Sequence, residues 1–152
     1  MKISKRLFSL FIIFAMTVSA VAQEMNFKTS KQSVTPFYFS VKVPDGNYKV
    51  TVTLGSHKRK AITTVRAESR RLMVENCATL KGQFKTYEFI VNKRSPRISD
   101  TKKVILKDRE KYYLDWDDSL TLEFNGVNPC VKSIEIQPDT TALTVFLCGN
   151  ST

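Results

Sequence analysis

The chain has 152 residues, 42% hydrophobic and 25% charged, and its 24 Lys+Arg against 14 Asp+Glu give a formal charge of +10. That hydrophobic content, with only five Gly and five Pro, excludes a disordered, collagen-like or linker-rich chain and is enough for a buried core.

Lys2, Lys5 and Arg6 precede an apolar run over residues 7–16, and Ala20-Val21-Ala22 has the small-x-small form that a signal peptidase cuts. The run is too short for a membrane span. Residues 1–22 therefore read as a secretory signal peptide, with an exported mature chain starting at Gln23 and no stable membrane anchor. The mature chain stays basic, and its cations cluster at His57-Lys58-Arg59-Lys60, Arg70-Arg71, Lys93-Arg94 and Lys102-Lys103. Such clusters attract a polyanion through long-range potential and counterion release. Outside a cell the polyanions are uronate polysaccharides, lipopolysaccharide, sulfated glycans and anionic membrane surfaces, so an acidic glycan is the expected partner and nucleic acid is not. A solvated basic surface that keeps the protein soluble is the plainer reading of the same charges.

Residues 23–36 have little hydrophobic pattern and read as a lead-in or an edge strand. From residue 37 onward a period-2 alternation dominates: Phe37, Phe39, Val41 and Val43 share one face, and Tyr48, Val50, Val52 and Leu54 share another. Pro44-Asp45-Gly46-Asn47 between them predicts a hairpin. Residues 55–60 form the next turn, and further strands are expected at 61–67, 71–75, 85–91, 103–107, 120–124, 131–136 and 143–147, about nine in all. No helical stripe appears outside the leader. The expected fold is all-β, an antiparallel β-sandwich spanning residues 23–140 and closed by Pro138.

Cys77, Cys130 and Cys148 are odd in number and include no Cys-x-x-Cys pair, so no disulfide framework or zinc site is indicated. One disulfide with a free thiol, or three buried thiols, are the arrangements left open. His57 is the single histidine, which rules out a multi-histidine metal site; no metal and no cofactor are expected. Asp115-Trp116-Asp117-Asp118 pairs an aromatic plate with three carboxylates, a combination that stacks a sugar ring or holds calcium, although a polar turn around a half-buried tryptophan explains it as well. Lys58 and Arg59 in the basic turn are candidates to meet the carboxylates of an acidic glycan, although a solvated hairpin tip explains them as well, and Trp116 is the candidate sugar platform.

Residues 143–147 are almost continuously apolar and stop at Gly149-Asn150-Ser151. Continuous apolarity marks a strand buried on both faces, as in a parallel sheet. A serine just past its carboxyl end sits where α/β folds place reactive groups. Together with residues 37–55, 65–72 and 116–124, this block resembles the SGNH/GDSL esterase superfamily, and more closely its secreted bacterial carbohydrate esterases of the rhamnogalacturonan acetylesterase type. In several of these a β-sandwich of galactose-binding or jelly-roll kind precedes the hydrolase domain. The resemblance implies that residues 141–152 begin a truncated α/β SGNH hydrolase domain, with Ser151 as nucleophile and its backbone N–H as an oxyanion donor, and that the partner is an acidic, pectin-like plant polysaccharide whose galacturonate carboxylates Lys58 and Arg59 would meet. Asn150 stands where the family has Asp. The family's remaining oxyanion donors and its Asp-x-x-His base come later than this block, so the 152 residues are expected to be inert as an esterase. The alternative is a stand-alone exported sandwich that binds acidic polysaccharide without catalysis.

Overall fold

The computed structural model describes residues 35–147. The expected leader, the mature start at Gln23, Cys148, Asn150 and Ser151 lie outside the described residues. Seven strands form: β1 (Phe37–Lys42), β2 (Gly46–Gly55), β3 (Ala61–Ala67), β4 (Arg71–Thr79), β5 (Phe84–Lys93), β6 (Ser119–Val127) and β7 (Val131–Pro138). They make two sheets, ordered β1-β6-β3-β4 and β5-β2-β7, in which every strand pairing is antiparallel. This is the all-β antiparallel sandwich that the alternation predicts.

Alternate residues of each strand enter one shared core. Val50, Val52, Leu54, Val91 and Ile134 from the three-stranded sheet meet Val65, Leu120, Leu122 and Phe124 from the four-stranded sheet, all essentially without solvent exposure. Burying a Val, Leu, Ile or Phe side chain contributes about 1.5–3 kcal/mol, so this inner layer is the main source of stability. Cys77 and Cys130 are buried free thiols and act as small hydrophobes.

The structure corrects three expectations. First, Pro44-Asp45-Gly46-Asn47 is a corner between sheets and not a hairpin, because β1 pairs with β6 while β2 pairs with β5 and β7. The Asp45 carboxylate accepts from Lys93 Nζ (3.0 Å), the Ser95 amide (2.8 Å) and Ser95 Oγ (2.7 Å), which ties the corner to the end of β5. Burial pushes the Asp45 carboxyl up, but these hydrogen bonds outweigh it and hold the group below its ordinary value. Lys93, expected in a surface cation cluster, is consequently buried.

Second, residues 103–107 do not form a strand. They make one isolated bridge, Arg97 to Lys103, inside the long 94–118 connection, where no extended neighbour is available to continue the ladder. Third, residues 143–147 run as irregular chain past β7 instead of as a strand. Leu143 and Leu147 are each 95% exposed, because the described residues offer this segment no sheet to enter.

Gly55 closes β2 at φ +125°, and a Cβ there would lie 2.2 Å from the Gln83 carbonyl oxygen. Gly82 also has positive φ (+79°) but opens onto free space. In urea denaturation, Gly55→Ala should lower the unfolding free energy by about 3 kcal/mol or more, since steric collision adds to the conformational penalty. Gly82→Ala should cost only about 1–2 kcal/mol. Equal losses in the two variants would contradict the close approach at Gly55.

Candidate functional site

At one end of the sandwich β1, β3, β5 and β7 finish while β2, β4 and β6 begin, so their connections gather there. The β3–β4 turn is unusual. Glu68 and Ser69 both adopt positive φ (49° and 67°), a region that disfavours residues with a Cβ. The Glu68 amide donates to the Thr121 carbonyl (3.0 Å), continuing the β3–β6 ladder past Ala67 and Leu122. The Glu68 carbonyl has rotated away to accept from the Arg70 amide (2.8 Å), and the Glu68 side chain replaces it: Oε1 accepts from the Thr121 amide (3.0 Å). A carboxylate thus stands in for a backbone acceptor, and it is buried, with Glu68 only 3% exposed. Burial raises its pKa from 4.5 to about 7, against lowering by the Thr121 amide and Arg71; Asp117 and Asp115 add to the rise.

Over this turn lies the 94–118 connection. It folds through a short 3-10 turn (Asp108–Glu110) and then presents Tyr112, Tyr113, Asp115 and Trp116. Trp116 has φ 60°, and its side chain is partly exposed. The three carboxylates around it diverge. Asp118 pairs with Lys42 at 2.8 Å, Asp117 accepts from the Ser119 amide at 2.7 Å, and Asp115 faces the clefts with its pKa raised by burial against the pull of Arg70 and Arg71. Among the described residues no group of three or more His, Cys, Asp or Glu side chains is arranged to hold a metal ion.

Three clefts of about 170, 260 and 190 Å³ surround this loop. Tyr38, Tyr112 and Tyr113 line the first, Arg70, Tyr113 and Trp116 the second, and Glu68, Arg71, Arg94, Trp116 and Phe146 the third. Arg70 sits 4.7 Å from the centre of the Tyr113 ring and Arg94 4.2 Å from that of Phe146. Arg71 Nη1 donates to the Asn92 carbonyl at 2.5 Å, which braces the turn against the other sheet.

Phe146 reaches the third cleft because the segment after β7 is pinned across this end. The Asp139 carboxylate accepts from the Thr141 and Ala142 amides (2.7 and 3.1 Å) and caps the bend. Asn47 Nδ2 donates to the Ala142 carbonyl (2.8 Å), and Asn47 Oδ1 accepts from Thr144 Oγ1 (3.0 Å) and Asn92 Nδ2 (2.7 Å).

The candidates read from sequence do not converge. Trp116 belongs to the clefts just described, whereas Lys58 and Arg59 lie in the β2–β3 connection at the opposite end, a β2 length of about 30 Å away. Lys58 is exposed, and the Arg59 Nε donates to Cys130 Sγ at 3.3 Å. Ser151 lies outside the described residues. Two residues missed by the pattern are Glu68 and Phe146. Alternation carries Ala61, Thr63, Val65 and Ala67 inward and so puts Glu68 outside; only the left-handed turn rotates it in. No protein-family model, no curated protein and no solved structure matches the chain.

A carboxyl with a raised folded-state pKa keeps its proton to about pH 7, while the unfolded chain loses it near 4.5. Glu68 therefore favours the fold at low pH, and its contribution falls as pH rises from 4.5 to about 7 and then levels off. The expected size is on the order of 2–3 kcal/mol. Glu68→Gln keeps an oxygen for the Thr121 amide without the charge. Urea melts at pH 5 and pH 8 should show the variant losing about 2 kcal/mol less than wild type across that interval. Parallel pH profiles would contradict the assignment.

Proposed function

We propose that the protein is the exported β-sandwich module of a carbohydrate esterase of the rhamnogalacturonan acetylesterase type, serving acidic, pectin-like polysaccharide, and that Ser151 is the nucleophile of the hydrolase domain it precedes. The observation that supports this is the segment after β7. Leu143, Val145 and Leu147 are strongly apolar yet 79–95% exposed, a surface that the sandwich leaves uncovered and that a following domain would cover.

In this reading Ser151 Oγ attacks the carbonyl carbon of an acetyl ester. The C–O bond to the sugar breaks, the sugar hydroxyl leaves with a proton, and the resulting acetyl-enzyme is hydrolysed by water to acetate. The Ser151 backbone N–H stabilises the negative oxygen of the tetrahedral intermediates. A serine hydroxyl needs a base to act at neutral pH, and His57 lies in the turn at the far end of the sandwich, edge-on to Phe84 with ring centres 4.7 Å apart.

Purified protein from Gln23 to Thr152 should therefore hydrolyse 4-nitrophenyl acetate no faster than its Ser151→Ala variant. A Ser151-dependent rate would show that this segment carries its own base. The esterase reading is tested on the coding frame past codon 152, which should continue into glycine and asparagine oxyanion blocks and an Asp-x-x-His. A stop codon there would overturn it and leave the second reading, a non-enzymatic binder of acidic polysaccharide, which the arginine and aromatic lining of the clefts favours.

A further inference from the structure

The three clefts adjoin in one row, an interrupted groove. Tyr113 lines both the first and the second, and Asp115 and Trp116 line both the second and the third, so each neighbouring pair shares a wall. Along the groove aromatic rings recur, with Tyr112 and Tyr113 at one end, Trp116 in the middle and Phe146 at the other. Each cleft has room for about one small ring, and the repeat of ring-sized clefts suits a linear chain of cyclic units better than one compact ligand. Aromatic faces accept the C–H faces of a pyranose and leave its hydroxyls to polar neighbours.

The charge of the lining selects among such chains. Arg70, Arg71 and Arg94 all face the groove, and among the described residues none makes an ion pair within 4.0 Å. Two of the three rest against aromatic rings, which hold the guanidinium without neutralising it. A guanidinium in that state favours a carboxylate, which it can bind through two parallel N–H donors. The acids of the lining, Glu68, Asp115, Glu110 and Glu123, are mostly engaged elsewhere. Glu123 is already paired with Arg66 (3.3 Å), the Glu110 carboxylate accepts from the Lys107 amide (3.0 Å), and Glu68 is buried with its carboxyl accepting from the Thr121 amide (3.0 Å), which leaves Asp115 as the acid that shares the lining with the arginines.

We infer that this groove binds consecutive residues of a uronate-containing polysaccharide, the rings of Tyr113, Trp116 and Phe146 taking sugar faces and Arg70, Arg71 and Arg94 taking the carboxylates. The inference rests on the proposed role in serving acidic polysaccharide and locates the contact at the β3–β4 end, away from the basic turn at Lys58 and Arg59.

Isothermal titration of the protein with trigalacturonate at low salt tests it, with the neutral galactose trimer and a glutamate tripeptide as comparison ligands. Wild type should bind trigalacturonate and neither comparison ligand. Trp116→Ala and Arg94→Gln should each weaken binding about tenfold, while Lys58→Ala with Lys60→Ala should leave it unchanged; thermal melts confirm that all variants fold. Binding should also weaken as salt is raised, as charge pairing requires. Loss confined to the Lys58/Lys60 variant would overturn the groove while leaving the acidic-polysaccharide role standing. Equal binding of the neutral trimer would overturn the selection by arginine, and equal binding of the glutamate tripeptide would overturn recognition of the sugar. No binding of trigalacturonate by wild type would remove both the groove and the polysaccharide role.

Discussion

The exchange between Glu68 and Thr121 organises the end of the sandwich that carries the clefts. In an antiparallel ladder each hydrogen-bonded pair of residues exchanges two backbone hydrogen bonds. Here one of the two acceptors is a side-chain carboxylate, because the backbone of Glu68 and Ser69 has already turned into the left-handed region. The cost is a buried carboxyl and two residues in a conformation that each disfavours by roughly 1–2 kcal/mol. The same turn sets the position of Arg70 and Arg71, which leave it toward Tyr113 and Asn92 and so form the floor between the clefts. Strain of this kind persists only where the surrounding core holds it, and β3 and β6 are the two central strands of their sheet.

A second anchor acts on the other sheet. Asp45 gathers Lys93 and both donors of Ser95, fixing where β5 ends and the 94–118 connection begins. Arg94 follows directly, so the pairing of buried Lys93 with the exposed Asp45 carboxylate determines the direction in which the exposed arginine leaves the sheet. Asn47, two residues beyond Asp45, then pins the segment after β7 through Ala142 and Thr144. The corner between β1 and β2 thus organises the groove wall that carries Arg94 and Phe146, although it contributes no side chain to the lining itself.

Most of the architecture was legible from periodicity. The residues expected to share one face of β2, Tyr48, Val50, Val52 and Leu54, are the ones buried, because a strand covered on one face must alternate. Two strands expected at 103–107 and 143–147 did not form, since alternation or apolarity describes only what a segment is suited to, and a strand exists only where a neighbour completes its hydrogen bonds. The hairpin expected at Pro44-Asp45 failed for a related reason. Proline, aspartate and glycine specify a reversal of direction, and whether the next strand returns beside the first or crosses to the facing sheet depends on contacts tens of residues away. Trp116 was visible as a candidate from its acidic neighbours. Glu68 was not, because the backbone twist that turns it inward has no signature in a Glu-Ser-Arg sequence.

Composition and alternation by themselves determined a basic, all-β sandwich with one apolar layer, since burying alternate side chains is the main source of free energy open to such a chain. Tertiary structure alone decided that the basic clusters divide between two ends, with Lys58 and Arg59 at one and Arg70, Arg71 and Arg94 at the other. Charge along a sequence carries no record of position in space. Strand order supplies it, because antiparallel pairing sends alternate connections to opposite ends and brings distant residues such as Glu68, Arg94, Trp116 and Phe146 to the same one.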